Sequence, residues 1–197
     1  MTANALTITR IVLSPFFMVA FMIDTFAAYV VCFILSIIME LSDYFDGKLA
    51  RWNKQTSDFG RLMDPFADSI SRFTIFLCFL SAGWVPLWMV AIFFYRDVLV
   101  SLIRVFAMKQ GVIVAARKSG KTKAWVQAVC IWLVFAVILL EKAGFAAEFF
   151  AVQGRTYLMT TGIIAVSAMI TLYSGIDYWD ANKSSVLKAF RAKSKTP

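Results

Sequence analysis

Apolar residues recur along this chain in six stretches, and polar residues gather in the gaps between them. The stretches cover residues 6–23, 27–45, 63–81, 85–108, 124–140 and 157–176. A helix of about 20 apolar residues crosses the hydrocarbon core of a bilayer, so each stretch predicts a spanning helix. The gaps at 24–26 and 82–84 are short enough to force the flanking spans to run antiparallel. The expected fold is therefore all-α: one domain over 1–197, an integral membrane bundle of six transmembrane helices, followed by a basic tail at 183–197. The first stretch reads as a retained span, because residues 1–9 lack the basic opening of a cleaved signal.

Composition agrees with the pattern. Hydrophobic residues make up 60% of the chain and charged ones 16%, with a mean hydropathy of +0.74. That leaves too little polar surface for a soluble domain. Charge then orients the bundle. Of the 20 Lys and Arg, only Lys142 and Arg155 fall in the connections 24–26, 82–84 and 141–156. This asymmetry predicts both termini in the cytoplasm and a multi-pass protein of the cytoplasmic membrane. The net charge of +8 is a topology signal first and an attraction to anionic lipid second. Nucleic acid is not an expected partner, since the basic loops lie against the membrane and lack aromatics spaced for stacking bases.

Two residue types narrow the chemistry. The chain has no histidine, which excludes a His base, the usual zinc sites and Ser-His or Cys-His devices. Its three cysteines, Cys32, Cys78 and Cys130, all sit inside apolar stretches, where they read as small buried hydrophobes. Acid–base or metal chemistry must rest on carboxylates.

Carboxylates are concentrated around the second gap. Asp43 and Asp46 are three residues apart at the end of the second span, and Asp64 and Asp68 are four apart at the start of the third. Each spacing puts a pair on one helical face, and Gly60 falls on the second stripe one turn earlier. A single aspartate at a helix end is often an interfacial anchor. Four on two matching stripes either share protons, with raised pKa values, or bind divalent cations. All-oxygen donors favour a hard ion, Mg²⁺ or Mn²⁺, whose shell is completed by phosphate oxygens. Gly47 and Gly60 allow a ligand or a facing helix to come close, and Arg51 is placed to meet a phosphate.

These residues fit the pattern D-x2-D-G-x2-A-R-x8-G-x3-D-x3-D position for position, with eight specified residues over 43–68. The pattern resembles the signature of the CDP-alcohol phosphotransferase family, and the six-span layout with the motif bridging spans two and three is similar to that family too. The resemblance implies that Asp43, Asp46, Asp64 and Asp68 hold two metal ions. It implies that Gly47, Arg51 and Gly60, with Asp43, line the CDP site, and that Asp68 is the general base. It also implies a homodimer.

The second half of the chain bears on the acceptor. Arg96 and Arg104 are eight residues apart on nearly one face of the fourth span, and Lys121 and Lys123 open the fifth. A buried arginine requires an anionic partner. Asp97 is one such partner, and a phosphate on the acceptor is another. Arg117 and Lys118 read as solvated positive-inside charge. The run Arg96, Asp97, Ser101, Arg104, Gly120, Lys121, Lys123, Gln127 is similar to the phosphatidylglycerophosphate synthase branch of the family. So is the opening with Asn4, Thr7 and Arg10, where Thr7 touches the nucleotide or caps the first helix. The branch implies transfer of a phosphatidyl group from CDP-diacylglycerol to sn-glycerol 3-phosphate. Where many members carry lysine after Asp68 this chain has Ser69, which leaves serine, inositol or inositol phosphate open as acceptors. A membrane transporter is the rival class, but its charged sites belong near the bilayer midplane, accessible from both sides.

Overall fold

The computed structural model describes the backbone of residues 3–53, 58–109, 118–145, 147–152 and 154–193, and the side chains of 9–42, 67, 69–105, 118–145, 147–152 and 154–183. Among the described residues seven helices follow one another: α1 (Ala3–Met22), α2 (Phe26–Asn53), α3 (Asp58–Ser81), α4 (Leu87–Lys109), α5 (Lys118–Lys142), the four-residue α6 (Ala147–Phe150) and α7 (Arg155–Lys193). No strand occurs among the described residues. Each expected span falls on one of the six long helices. Several helices overrun their apolar stretch: α2 continues to Asn53, α3 begins at Asp58 and passes through Pro65 unbroken, and α7 extends to Lys193.

Among the described residues, two helical stretches are long and apolar enough to cross a membrane by length and composition, Lys118–Lys142 and Arg155–Lys183. Shorter apolar helical stretches cover Thr9–Met22, Phe26–Ser42 and Ser69–Ser81. The surface carries large apolar side chains on every long helix, among them Val19, Ile34, Leu77, Leu102, Leu133 and Met169, all well exposed. Water would not tolerate so continuous an apolar coat, whereas lipid tails would.

Helix C-termini show why two of the turns are tight. After α3, Gly83 N–H donates to the Leu80 carbonyl and Trp84 N–H to that of Phe79; after α5, Gly144 and Phe145 repeat the arrangement on Glu141 and Leu140. This double closure requires a left-handed residue, and Gly83 (φ 71°) and Gly144 (φ 72°) supply it without a Cβ clash.

The bundle interior is divided along its length. Toward the end carrying the 23–25 and 82–86 turns, Phe21, Tyr29, Phe79 and Trp84 pack with ring centroids 5.3–6.5 Å apart. Toward the other end the bundle buries Arg10, Ser14, Ser71, Arg72, Lys123, Gln127 and Ser174. On α1 one stripe makes the change: Arg10, Ser14, Phe17 and Phe21 are all buried, at helical spacing. The cysteines lie with the apolar half; Cys32 Sγ, for example, meets the Phe17 carbonyl.

Candidate active site

The helices that carry the aspartate motif are the ones whose register the structure fixes. Glu40 on α2 and Arg72 on α3 are joined by two parallel hydrogen bonds, Arg72 Nε to Oε1 at 2.8 Å and Nη2 to Oε2 at 2.9 Å. The side chains are 13% and 10% exposed, so the pair is largely withdrawn from solvent. On the other flank of α3, the Ser14 and Ser71 hydroxyls lie 3.3 Å apart, and Phe21 and Phe79 meet further along, so α1 and α3 run parallel. Arg10, one turn before Ser14, is 2% exposed. It therefore stands level with Ala67, one turn before Ser71.

Asp43, Asp46, Gly47 and Arg51 are positions on α2, Gly60, Asp64 and Asp68 on α3, and Thr7 on α1. The side chains of these expected metal, CDP and base residues lie outside the described residues. Among the described residues no group of His, Cys, Asp or Glu is arranged to hold a metal ion.

The four residues expected to bind the acceptor phosphate are described, and they divide. Lys123 and Arg96 converge on one carboxylate: Asp97 Oδ1 accepts from Lys123 Nζ at 2.6 Å and from Arg96 Nη1 at 3.1 Å. Ser69, the residue after Asp68, lies 3.5 Å from Asp97 Oδ2. Arg96 also donates to Ser174 Oγ on α7 at 2.7 Å. It is wedged between glycines: a Cβ on Gly175 would stand 3.2 Å from Arg96 Cγ, and one on Gly120 would stand 3.6 Å from its Nη2. Arg104 sits apart from this group. Its Nε donates to the Tyr178 hydroxyl at 3.3 Å and its guanidinium carbon lies 5.8 Å from the centre of that ring. Lys121 is exposed on α5.

Asp97 is thus a junction where α3, α4 and α5 meet, with α7 attached through Arg96, and its three charged members carry a net positive charge. Burying two cations is tolerable only because the carboxylate lies between them. Beside the junction is a cavity of ≈ 220 Å³. Ser69, Arg72, Asp97, Ser101 and Gln127 form its polar end, phenylalanines the rest, and it opens between the exposed Ile70, Phe94 and Val98. Gln127 Oε1 is buried there without a hydrogen-bond partner, while its Nε2 faces the Thr171 hydroxyl at 3.3 Å.

Glu40, Arg72, Asp97 as the common partner, and Ser174 were not expected as site residues. A signal existed for the first two. Glu40 precedes Asp43 by three residues and Arg72 follows Asp68 by four, so each prolongs an aspartate stripe into an apolar span.

Comparison with known proteins bears directly on this arrangement. The family model described as CDP-alcohol phosphatidyltransferase matches residues 1–173. The chain belongs to this family. Among its relatives, a protein of Mycobacterium tuberculosis named as a probable phosphatidylglycerophosphate synthase is 30% identical over 179 residues, 89% of this chain and 78% of that protein. The CDP-diacylglycerol–glycerol-3-phosphate 3-phosphatidyltransferase of Bacillus subtilis is 28% identical over 92% of this chain and 97% of its own length. One of the same name from Rickettsia felis is 28% identical over 91% and 94%. As a CDP-alcohol phosphatidyltransferase, the chain carries its family motif on the α2–α3 hairpin and its basic junction on α4 and α5.

Proposed function

We propose that this protein transfers the phosphatidyl group of CDP-diacylglycerol to sn-glycerol 3-phosphate, giving phosphatidylglycerophosphate and CMP. The carrying observation is the family match over residues 1–173, within which the whole aspartate motif falls on two consecutive helices. The names borne by relatives that align along nearly the full chain support the acceptor.

The reading places six spans in the cytoplasmic membrane as a homodimer, with the aspartates and the basic junction at the cytoplasmic end. The positive-inside asymmetry and the division of the interior into aromatic and charged halves support that orientation. The donor set suits Mg²⁺ or Mn²⁺. The chain has no histidine, and its thiols are buried, Cys32 and Cys78 among the aromatic-end residues, leaving oxygen ligands for the site. Asp43, Asp46, Asp64 and Asp68 would hold two such ions. When bound, the metals would neutralise charge on the diphosphate and on departing CMP.

The protein's own groups complete the chemistry. Gly47 and Gly60 let the cytidine diphosphate approach the backbone, and Arg51 and Thr7 contact it. Asp68 accepts the proton of the acceptor hydroxyl as its oxygen attacks the phosphatidyl phosphorus. The bond from that phosphorus to the CMP oxygen breaks, and CMP leaves with the electron pair. Lys123, Arg96, Arg104 and Lys121 supply positive charge for the phosphate of the acceptor. The Asp97 junction retains one positive charge in excess after its internal pairing, and this supports a phosphorylated alcohol over a neutral one.

An acceptor panel tests the reading. Purified protein in detergent micelles is given CDP-diacylglycerol and Mn²⁺ with glycerol 3-phosphate, serine, inositol or inositol phosphate in turn, and CMP is measured. Glycerol 3-phosphate should be the productive acceptor. Product with another alcohol and none with glycerol 3-phosphate would reassign the substrate, and CMP release with no alcohol at all would remove the reaction.

A further inference from the structure

Beyond the family motif, we infer that the Glu40–Arg72 ion pair is a positioning device: it sets the height of α2 against α3 so that the two aspartate pairs meet at matching levels. The inference rests on the metal-dependent transfer proposed above.

Register is the first argument. The hairpin runs antiparallel, as the Glu40–Arg72 and Tyr29–Trp84 contacts require. Away from the ion pair, Asp43 comes three residues along α2 and Asp46 six; along α3, Asp68 comes four residues back and Asp64 eight. At a rise of about 1.5 Å per residue, Asp43 and Asp68 are placed ~4.5 and ~6 Å below the pair, and Asp46 and Asp64 ~9 and ~12 Å below it. Each aspartate's level along α2 thus has a counterpart along α3. A slip of one turn, ~5.4 Å, would set Asp43 against Asp64 and leave Asp68 opposite Glu40.

The second argument is how the described parts of α2 and α3 meet. α1 packs along both α2 and α3, but among the described residues α2 and α3 make little direct contact. Where α2 and α3 do meet, the two-bonded guanidinium–carboxylate pair has one geometry. The third is energetic. A buried ion pair offers little stability over apolar side chains of similar size, and its best-attested use is to select one register among several. Arg72 also lines the cavity that contains Asp97 and Gln127, and a second cavity between α2 and α5 that contains Glu40 and Trp132. The pair therefore ties the aspartate hairpin to the basic junction.

Four variants test this: Glu40→Gln, Glu40→Asp, Arg72→Lys and the exchanged pair E40R/R72E. Mn²⁺ binding is followed by electron paramagnetic resonance, alongside CMP release and thermal unfolding in micelles. Each single variant should weaken Mn²⁺ binding by roughly 10–100-fold, as loss of a group orienting metal ligands does. The Mn²⁺ requirement for turnover should rise in parallel. The exchanged pair should recover part of the loss. Glu40→Asp and Arg72→Lys retain charge, so they read the effect even if Glu40→Gln fails to fold. Folded single variants that bind Mn²⁺ like the wild type would overturn the inference, even with a lowered melting temperature. Wild-type protein that binds Mn²⁺ but releases no CMP would instead sink the proposed reaction, and the binding comparison would still decide the role of the pair.

Discussion

Replacing Asp97 by Asn tests the basic junction most severely. The change keeps the shape of the side chain and removes its charge, leaving Lys123 and Arg96 as two cations in one buried site. The side chains of Lys123, Arg96 and Asp97 are 4%, 12% and 15% exposed, so solvent screening is slight. Removing one partner of a buried ion pair costs about 3–5 kcal/mol, because the remaining charge keeps its desolvation penalty and loses its compensation. For a chain of this size 1 kcal/mol moves the melting temperature by about 2–4 °C, so Asp97→Asn should lower it by roughly 6–20 °C. Thermal unfolding in detergent micelles, followed by tryptophan fluorescence, measures the shift. The companion is a double-mutant cycle with Lys123→Met. Removing the lysine from Asp97→Asn relieves repulsion, so the double variant should be less destabilised than the sum of the single ones, by about 1–3 kcal/mol. A melting temperature for Asp97→Asn within 3 °C of the wild type, or strict additivity in the cycle, would refute the reasoning.

Three further outcomes follow from the same account. Asp68→Asn should lose most CMP release; near-normal turnover with metal bound would remove Asp68 as the base. Gly175→Ala should destabilise by about 1–3 kcal/mol in the same unfolding assay, because its Cβ would stand 3.2 Å from Cγ of Arg96, whose guanidinium is held by Asp97 and Ser174. At the opposite end of the bundle, the Tyr29 hydroxyl and then Lys142 hold the Asp24 carboxyl below its ordinary value of 3.8. A lowered folded pKa stabilises above 3.8, and that contribution fades as pH falls through the folded value. The difference in melting temperature between wild type and Asp24→Asn should therefore shrink below pH 3.8.

What was legible in the sequence was local. Each apolar stretch fell on a helix because hydrophobic length alone produces that signal. Helix ends were not legible in the same way. Hydropathy reads the thickness of a bilayer, while α2 and α7 continue past it to Asn53 and Lys193 on backbone hydrogen bonds that polar residues do not interrupt. For the same reason α6 was missed: it is a single turn inside the connection 141–156, too short to give a hydropathy signal. The aspartate motif could be read because its members are three and four residues apart. The junction could not, since Asp97 meets Lys123 26 residues away and Arg96 meets Ser174 78 residues away. Asp97 itself was visible as a partner for one arginine; that it serves Arg96 and Lys123 together, while Arg104 turns to Tyr178, follows only from the way α4, α5 and α7 pack.

The account depends most on divalent cations held by four aspartates. A Mn²⁺ titration of the purified protein with CDP-diacylglycerol, followed by electron paramagnetic resonance, tests that claim directly. Two ions should bind per wild-type chain, as a two-metal site requires, and fewer in Asp46→Asn and Asp64→Asn. Wild-type protein that binds no Mn²⁺ and still releases CMP in the presence of a chelator would contradict it.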